Sequence, residues 1–192
     1  MAYLGAPRGY DTVAEAVRDD DLEAAVRGLM YDDVVPSLAA PDGLALPDYC
    51  EQLLTRFANP SLQHRTVQVA MDGSQKLPAR VLGTIRDRFA SGATPQSATL
   101  VVASWMAYVA RAASDSSGLP LDDPLAGRLA AAATSAGDDT SRLVAGLLEL
   151  REVFGDELPE SGAFRSLLVD QVGVILSATA GRGTARGRRP RG

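Results

Sequence analysis

Lys76 is the only lysine among 19 lysines and arginines in this 192-residue chain, and His64 is its only histidine. Both fall in one segment, His64-Arg65-Thr66-Val67-Gln68-Val69-Ala70-Met71-Asp72-Gly73-Ser74-Gln75-Lys76-Leu77-Pro78-Ala79-Arg80. A compact ammonium suits the task of holding a substrate hydroxyl or carboxylate. Arginine-biased codon usage explains why lysines are rare, but not why one survives at a helix–break–helix junction. Ser74 is placed to cap the following helix, with Pro78 tolerated in its first turn. Lys76 would then sit where the helix dipole disfavours a cation by about a few tenths of a kcal/mol. Two readings follow: a ligand-holding cation, or an exposed lysine with no role. His64 is the single candidate for histidine acid–base chemistry. Its plainer reading is a partly buried, hydrogen-bonding residue within a helix. Asp72-Gly73 is an ordinary turn pair and needs no function.

Other catalytic machinery is missing from the sequence. It has no Gly-x-Gly-x-x-Gly, no phosphate-binding glycine loop and no strand–turn–helix pattern to carry one. One histidine excludes a histidine-rich metal site, so no metal is expected. The lone Cys50 excludes a disulfide framework and a thiolate metal site, which makes a reducing cytoplasm the default setting. No apolar run reaches the roughly 20 residues that span a bilayer. The longest candidate, 98–113, is interrupted by Ser104 and Arg111. The start, Met1-Ala2-Tyr3-Leu4-Gly5, lacks the basic and apolar regions of a secretory signal. The net charge of −5 is uneven: residues 181–192 hold five arginines and no acid, which leaves 14 basic against 24 acidic residues in 1–180. An acidic body argues against a nucleic-acid partner. The Gly/Arg-rich tail is predicted to be disordered, able at most to bind nucleic acid weakly and salt-sensitively.

The elements that must position these residues are all helical by pattern. Asp11 or Thr12 caps a first helix, and Leu22, Val26, Leu29 and Met30 recur at helical spacing in a second. A proline- and glycine-rich connection leads to a helix over about 48–58, and Asn59-Pro60 marks a turn. The spacing predicts helix over 61–71, a break at Asp72-Gly73, and a helix carrying Val81, Leu82, Ile85 and Phe89. Gly92 ends it. Pro95 opens the most apolar helix, with Trp105 and Met106 at its centre, and later helices are expected near 125–135, 140–154 and 163–180. The fold class is all-α, with about eight helices.

At the Lys76 segment the chain resembles a known family. Asp72-Gly73-Ser74-Gln75-Lys76-Leu77-Pro78, preceded by Arg56-Phe57-Ala58-Asn59-Pro60 and His64-Arg65-Thr66, is similar to the polyol-specific long-chain dehydrogenases, the mannitol dehydrogenase family. Trp105-Met106-Ala107-Tyr108, Asp123-Pro124-Leu125-Ala126 and Leu150-Arg151-Glu152-Val153-Phe154-Gly155 follow in the same order. The resemblance spans about 2–176. It implies an all-α substrate-side domain of the mannitol dehydrogenase/6-phosphogluconate dehydrogenase C-terminal-like type over 1–180, with a tail at 181–192.

Family enzymes move a hydride between NAD or NADP and a ketose or ketouronate, in a cleft between a nucleotide-binding domain and this helical one, without a metal. Their catalytic Lys-x4-Asn-x2-His motif lies just before a stretch like Ala-Tyr-Leu-Gly, matched here by Ala2-Tyr3-Leu4-Gly5. No catalytic residue is therefore assigned to this chain, no cofactor is expected to bind it alone, and a truncated, inactive fragment is expected. Lys76 matches a family lysine that contacts substrate oxygens. Eight residues earlier, where mannitol dehydrogenases place a substrate-binding arginine, stands Gln68. The run His64-Arg65-Thr66-Val67-Gln68 looks instead like fructuronate-reductase-type sequences, which turns the reading toward a hexuronate substrate over a sugar alcohol. Lys76, Gln68 and His64 are the substrate-side candidates. The alternative is a stand-alone, non-catalytic helical interaction module.

Overall fold

The computed structural model describes residues 1–39, 45–114 and 116–180; the tail at 181–192 lies outside them. Helix α1 (Ala2–Arg8) ends on Gly9 in the left-handed region. Helix α2 (Val13–Ala16) starts at Thr12, which forms a capping box with Glu15. Helix α3 (Asp20–Gly28), capped by Asp19, runs on through a π-helical turn (Leu29–Val34) into α4 (Val35–Ser37). Helix α5 (Leu46–Phe57) tolerates Pro47 in its first turn. The junction elements α6 (Thr66–Ala70), α7 (Gly73–Arg80) and α8 (Leu82–Ala90) follow. Then come α9 (Gln96–Ala112), α10 (Ala126–Ala136), α11 (Thr140–Leu148), α12 (Arg151–Phe154), α13 (Glu157–Glu160) and α14 (Gly162–Ala180).

Helix α9 is the axis of the core. It buries residues on all sides, including Ala98, Val102, Ala103, Trp105, Met106 and Val109, as expected of a helix that is apolar all round. Phe164, Leu168 and Val172 of α14 pack along it, Leu129 of α10 and Leu143, Val144 and Leu147 of α11 close a second side, and Leu77, Leu82 and Ile85 of α7 and α8 a third. Trp105 lies against Phe154 of α12, ring centroids 6.2 Å apart. The buried carboxylate of Asp33, on the π turn, accepts from Ala98 N at 2.7 Å. It supplies the start of α9 with the cap that Pro95 cannot provide.

The all-α expectation holds among the described residues. The helices are more numerous and shorter than the apolar spacing suggested, and the differences have local causes. Helix α1 contains Gly5 and Pro7, which hid it from propensity. Gly5 is there for contact, since a Cβ on it would come within 3.0 Å of Ala16 Cβ. The expected helix over 61–71 shrinks to α6, because the preceding residues pair with the chain before α2. Val13 N donates to His64 O at 2.9 Å, and Thr66 N to Asp11 O at 2.9 Å. Thr66 Oγ1 donates to Tyr10 O at 2.7 Å, closing an antiparallel bridge between Thr12 and Arg65. The expected helix over 140–154 divides at Glu149-Leu150 into α11 and α12.

Candidate functional site

The site is built at the break between α6 and α7. Met71 turns extended and Asp72 adopts φ 54, the one non-glycine positive φ among the described residues. Aspartate is among the residues that enter this region most readily. Asp72 N donates to Asp122 O at 3.0 Å, which pins the turn to the segment before α10. In this conformation the Asp72 side chain does not cap α7. The cap comes instead from Asp123, 49 residues away: its Oδ2 accepts from Ser74 N at 2.8 Å and its Oδ1 from Ser74 Oγ at 2.6 Å. Ser74, expected as the capping residue, is thus inside the first turn and is itself the donor.

Gly73 is held against Trp105. A Cβ there would lie 2.5 Å from Trp105 Cδ1, nearer still to Nε1, and 3.0 Å from Tyr3 Oη. Tyr3 of α1 stands over the same corner, its ring 5.8 Å from that of Tyr108. Tyr108 in turn donates to Pro120 O at 2.7 Å. Burial first, then the charge of Asp123 and the neighbouring Tyr108 and Asp72, pushes the Tyr3 hydroxyl up to about 12. Tyr3 therefore stays a neutral hydroxyl at physiological pH.

Lys76 is half-buried, and its Nζ donates to Met71 O at 2.6 Å and Val69 O at 3.3 Å. This resolves the dipole objection raised by its position. Although Lys76 lies in the first turn of α7, its ammonium reaches back to the carbonyl end of α6, where a cation is favoured. It pairs with no carboxylate among the described residues, and two of its three N–H donors are spent on carbonyls. One donor and a net positive charge remain for a ligand.

Gln68 lies exposed on α6, next to Val69, whose carbonyl holds Lys76. The structure brings these two to the same junction. His64 is exposed too, but precedes α6, in the segment that pairs with the chain before α2. Its side chain makes no hydrogen bond among the described residues, so the partly buried helical histidine expected from pattern is corrected to an exposed residue in an extended segment. Sequence reading assigned no role to Asp123, Gly73, Trp105 or Tyr3. The motifs Asp123-Pro124-Leu125-Ala126 and Trp105-Met106-Ala107-Tyr108 carried the signal, without revealing that they meet at this turn.

No strand–turn–helix unit exists among the described residues to cradle a dinucleotide pyrophosphate, and no group of three His, Cys, Asp or Glu side chains could hold a metal ion. No hydride step is assigned to the described residues. No described helix is long and apolar enough to cross a membrane.

Residues 1–175 match the family described as the mannitol dehydrogenase C-terminal domain. The chain is 38% identical to D-mannonate oxidoreductase of Escherichia coli K12 over 178 residues, 93% of this chain and 35% of that protein. It is 29% identical to mannitol 2-dehydrogenase of Phaeosphaeria nodorum over 164 residues, 85% of this chain and 28% of that one. Among solved structures, Pseudomonas fluorescens mannitol 2-dehydrogenase, in a ternary complex with NAD and D-mannitol, superposes with a TM-score of 0.81 at 30% identity. That match covers 96% of this chain and 38% of that one. The chain thus spans about a third of the length of these relatives. An all-α fold built on α9, and a family match over nearly all of it, place this chain in the mannitol dehydrogenase family, as its C-terminal domain.

Proposed function

We propose that residues 1–180 are the substrate-side domain of an NAD(P)-dependent oxidoreductase that interconverts an aldonate or sugar alcohol and its ketouronate or ketose. The nicotinamide is held by a nucleotide-binding domain that these residues do not form, and the proton-transferring residue belongs to the Lys-x4-Asn-x2-His motif that family enzymes carry just before the stretch matched by Ala2-Tyr3-Leu4-Gly5. The observation that carries this reading is Lys76: a half-buried ammonium, fixed by two carbonyls, with one donor unspent, inside a 175-residue family match. Lys76 binds substrate oxygens. Gln68 adds a neutral amide beside it, and His64 is the candidate its placement supports least. An aldonate is preferred to a sugar alcohol on two grounds. Identity is higher to the mannonate enzyme than to the mannitol 2-dehydrogenase. A carboxylate also gives the Lys76 ammonium a full counter-charge, which a hydroxyl does not. The proposed setting is the cytoplasm, without nucleic-acid or membrane partners.

The purified chain should not oxidise NADH in the presence of D-fructuronate or D-fructose. Fused behind the part of the E. coli D-mannonate oxidoreductase that precedes the matched region, catalytic Lys-x4-Asn-x2-His motif included, it should turn over NADH with the ketouronate. Turnover by the chain alone contradicts the reading. So does a folded, NADH-binding fusion that is inert toward ketouronate and ketose alike.

A further inference from the structure

We propose that Asp123 is the positioning residue for Lys76. The importance of that position for substrate rests on the reading given above; the geometric assignment does not. The N–H groups that open a helix need acceptors, and in α7 the residue before the helix cannot help, because Asp72 is turned into the left-handed region. Asp123 fills this role from the segment between α9 and α10. Its two oxygens take three donors: Ser74 N at 2.8 Å, Ser74 Oγ at 2.6 Å and Leu125 N at 2.9 Å. A carboxylate held at three points has little freedom to rotate. Pro124 disfavours helix at the residue before it, which helps to set the backbone of Asp123.

Lys76 hangs from this clamp. It follows Ser74 by two residues, and its Nζ folds back to Met71 O, so 71–76 form a closed loop. Asp122 holds that loop through Asp72 N, and Asp123 holds it through Ser74. No hydrogen bond or ion pair joins Asp123 to Lys76, so its action is on the turn that aims the ammonium. Without the clamp, the first turn of α7 loses its acceptor and the path from Cα to Nζ is no longer fixed.

Because Lys76 is the only lysine, an amine-selective acylating reagent, N-hydroxysuccinimidyl acetate, modifies it alone besides the α-amino group, and peptide mass mapping separates the two. In the wild-type 192-residue chain, well below Tm, acylation of Lys76 should be slow. Asp123→Ala should raise its rate by about fivefold, the factor that corresponds to one net hydrogen bond. Asp123→Asn, which keeps an acceptor for Ser74, should fall between the two. The control is Asp139→Ala, which removes a side-chain cap of the same kind from α11, where Asp139 Oδ1 accepts from Arg142 N at 3.0 Å. It should lower Tm and leave Lys76 acylation unchanged.

Wild-type acylation in Asp123→Ala, with Tm lowered as in Asp139→Ala, would overturn the proposal and reduce Asp123 to an ordinary cap. If Asp123→Ala does not fold, Ser74→Ala removes the hydroxyl donor alone and should raise the rate by about twofold; no change there is equally fatal. Acylation needs no sugar. Its failure therefore leaves the substrate reading standing, and failure of the fusion enzyme leaves this assignment standing.

Discussion

Asp33→Ala should cost the fold about 3 to 5 kcal/mol, the loss that follows when one partner of a buried charged pair is removed. Asp33 is nearly fully buried, and its Oδ2 is the acceptor for Ala98 N in the first turn of α9. Its Oδ1 lies 3.6 Å from Arg88 Nε, a nitrogen with no hydrogen-bond partner of its own. Truncation leaves an N–H of the central helix without an acceptor and a mostly buried guanidinium without a counter-charge. Asp33→Asn keeps an acceptor and loses only the charge, so its cost should be smaller. Urea unfolding followed by far-ultraviolet circular dichroism reads both. A loss under about 1 kcal/mol for Asp33→Ala would mean that water replaces the carboxylate, and that the π turn carrying Asp33 does not anchor α9.

Gly73→Ala should be the most damaging single-methyl addition near the candidate site, at about 3 kcal/mol, the upper end for overpacking. The added Cβ would overlap Trp105, and the indole cannot easily retreat because it packs on Phe154. Trp105 is the only tryptophan, so its fluorescence reports this corner without interference. Emission should shift in Gly73→Ala even where the protein remains folded. Gly83→Ala is the matched contrast. Gly83 is a helical glycine in α8 with nothing within 4 Å of its virtual Cβ, so alanine there should stabilise by about 0.5 to 1 kcal/mol through helix propensity. Equal effects at the two positions would refute the claim that Gly73 is required by close approach.

The features legible in the sequence were those set by local chemistry. The apolar run of α9 announced a buried helix, and the break read at Gly92 falls where the chain adopts positive φ. A cap at Asp11 or Thr12 was legible, and the structure settles it on Thr12 through the capping box with Glu15. What was not legible depends on distant partners. The shortening of α6 needs Tyr10, Asp11 and Val13. The cap of α7 needs Asp123, and the π turn keeps Asp33 facing α9 from 65 residues away. Lys76 was singled out because of its rarity, but its dipole cost looked real until the fold showed its ammonium at the end of α6. His64 looked helical because its neighbours have helical spacing, and tertiary pairing overrode that pattern.

Whether Lys76 binds substrate is read from kcat/KM of the fusion enzyme carrying Lys76→Met, which keeps the length and removes the charge. Loss of a hydrogen bond to a charged group is worth about 1.5 to 3 kcal/mol. A fall of about 10- to 100-fold toward the ketouronate is therefore expected, with a smaller one toward the uncharged ketose and unchanged NADH binding. Activity within about threefold of the unsubstituted fusion on both substrates, a change worth less than 1 kcal/mol, would contradict that expectation and take Lys76 out of the substrate site.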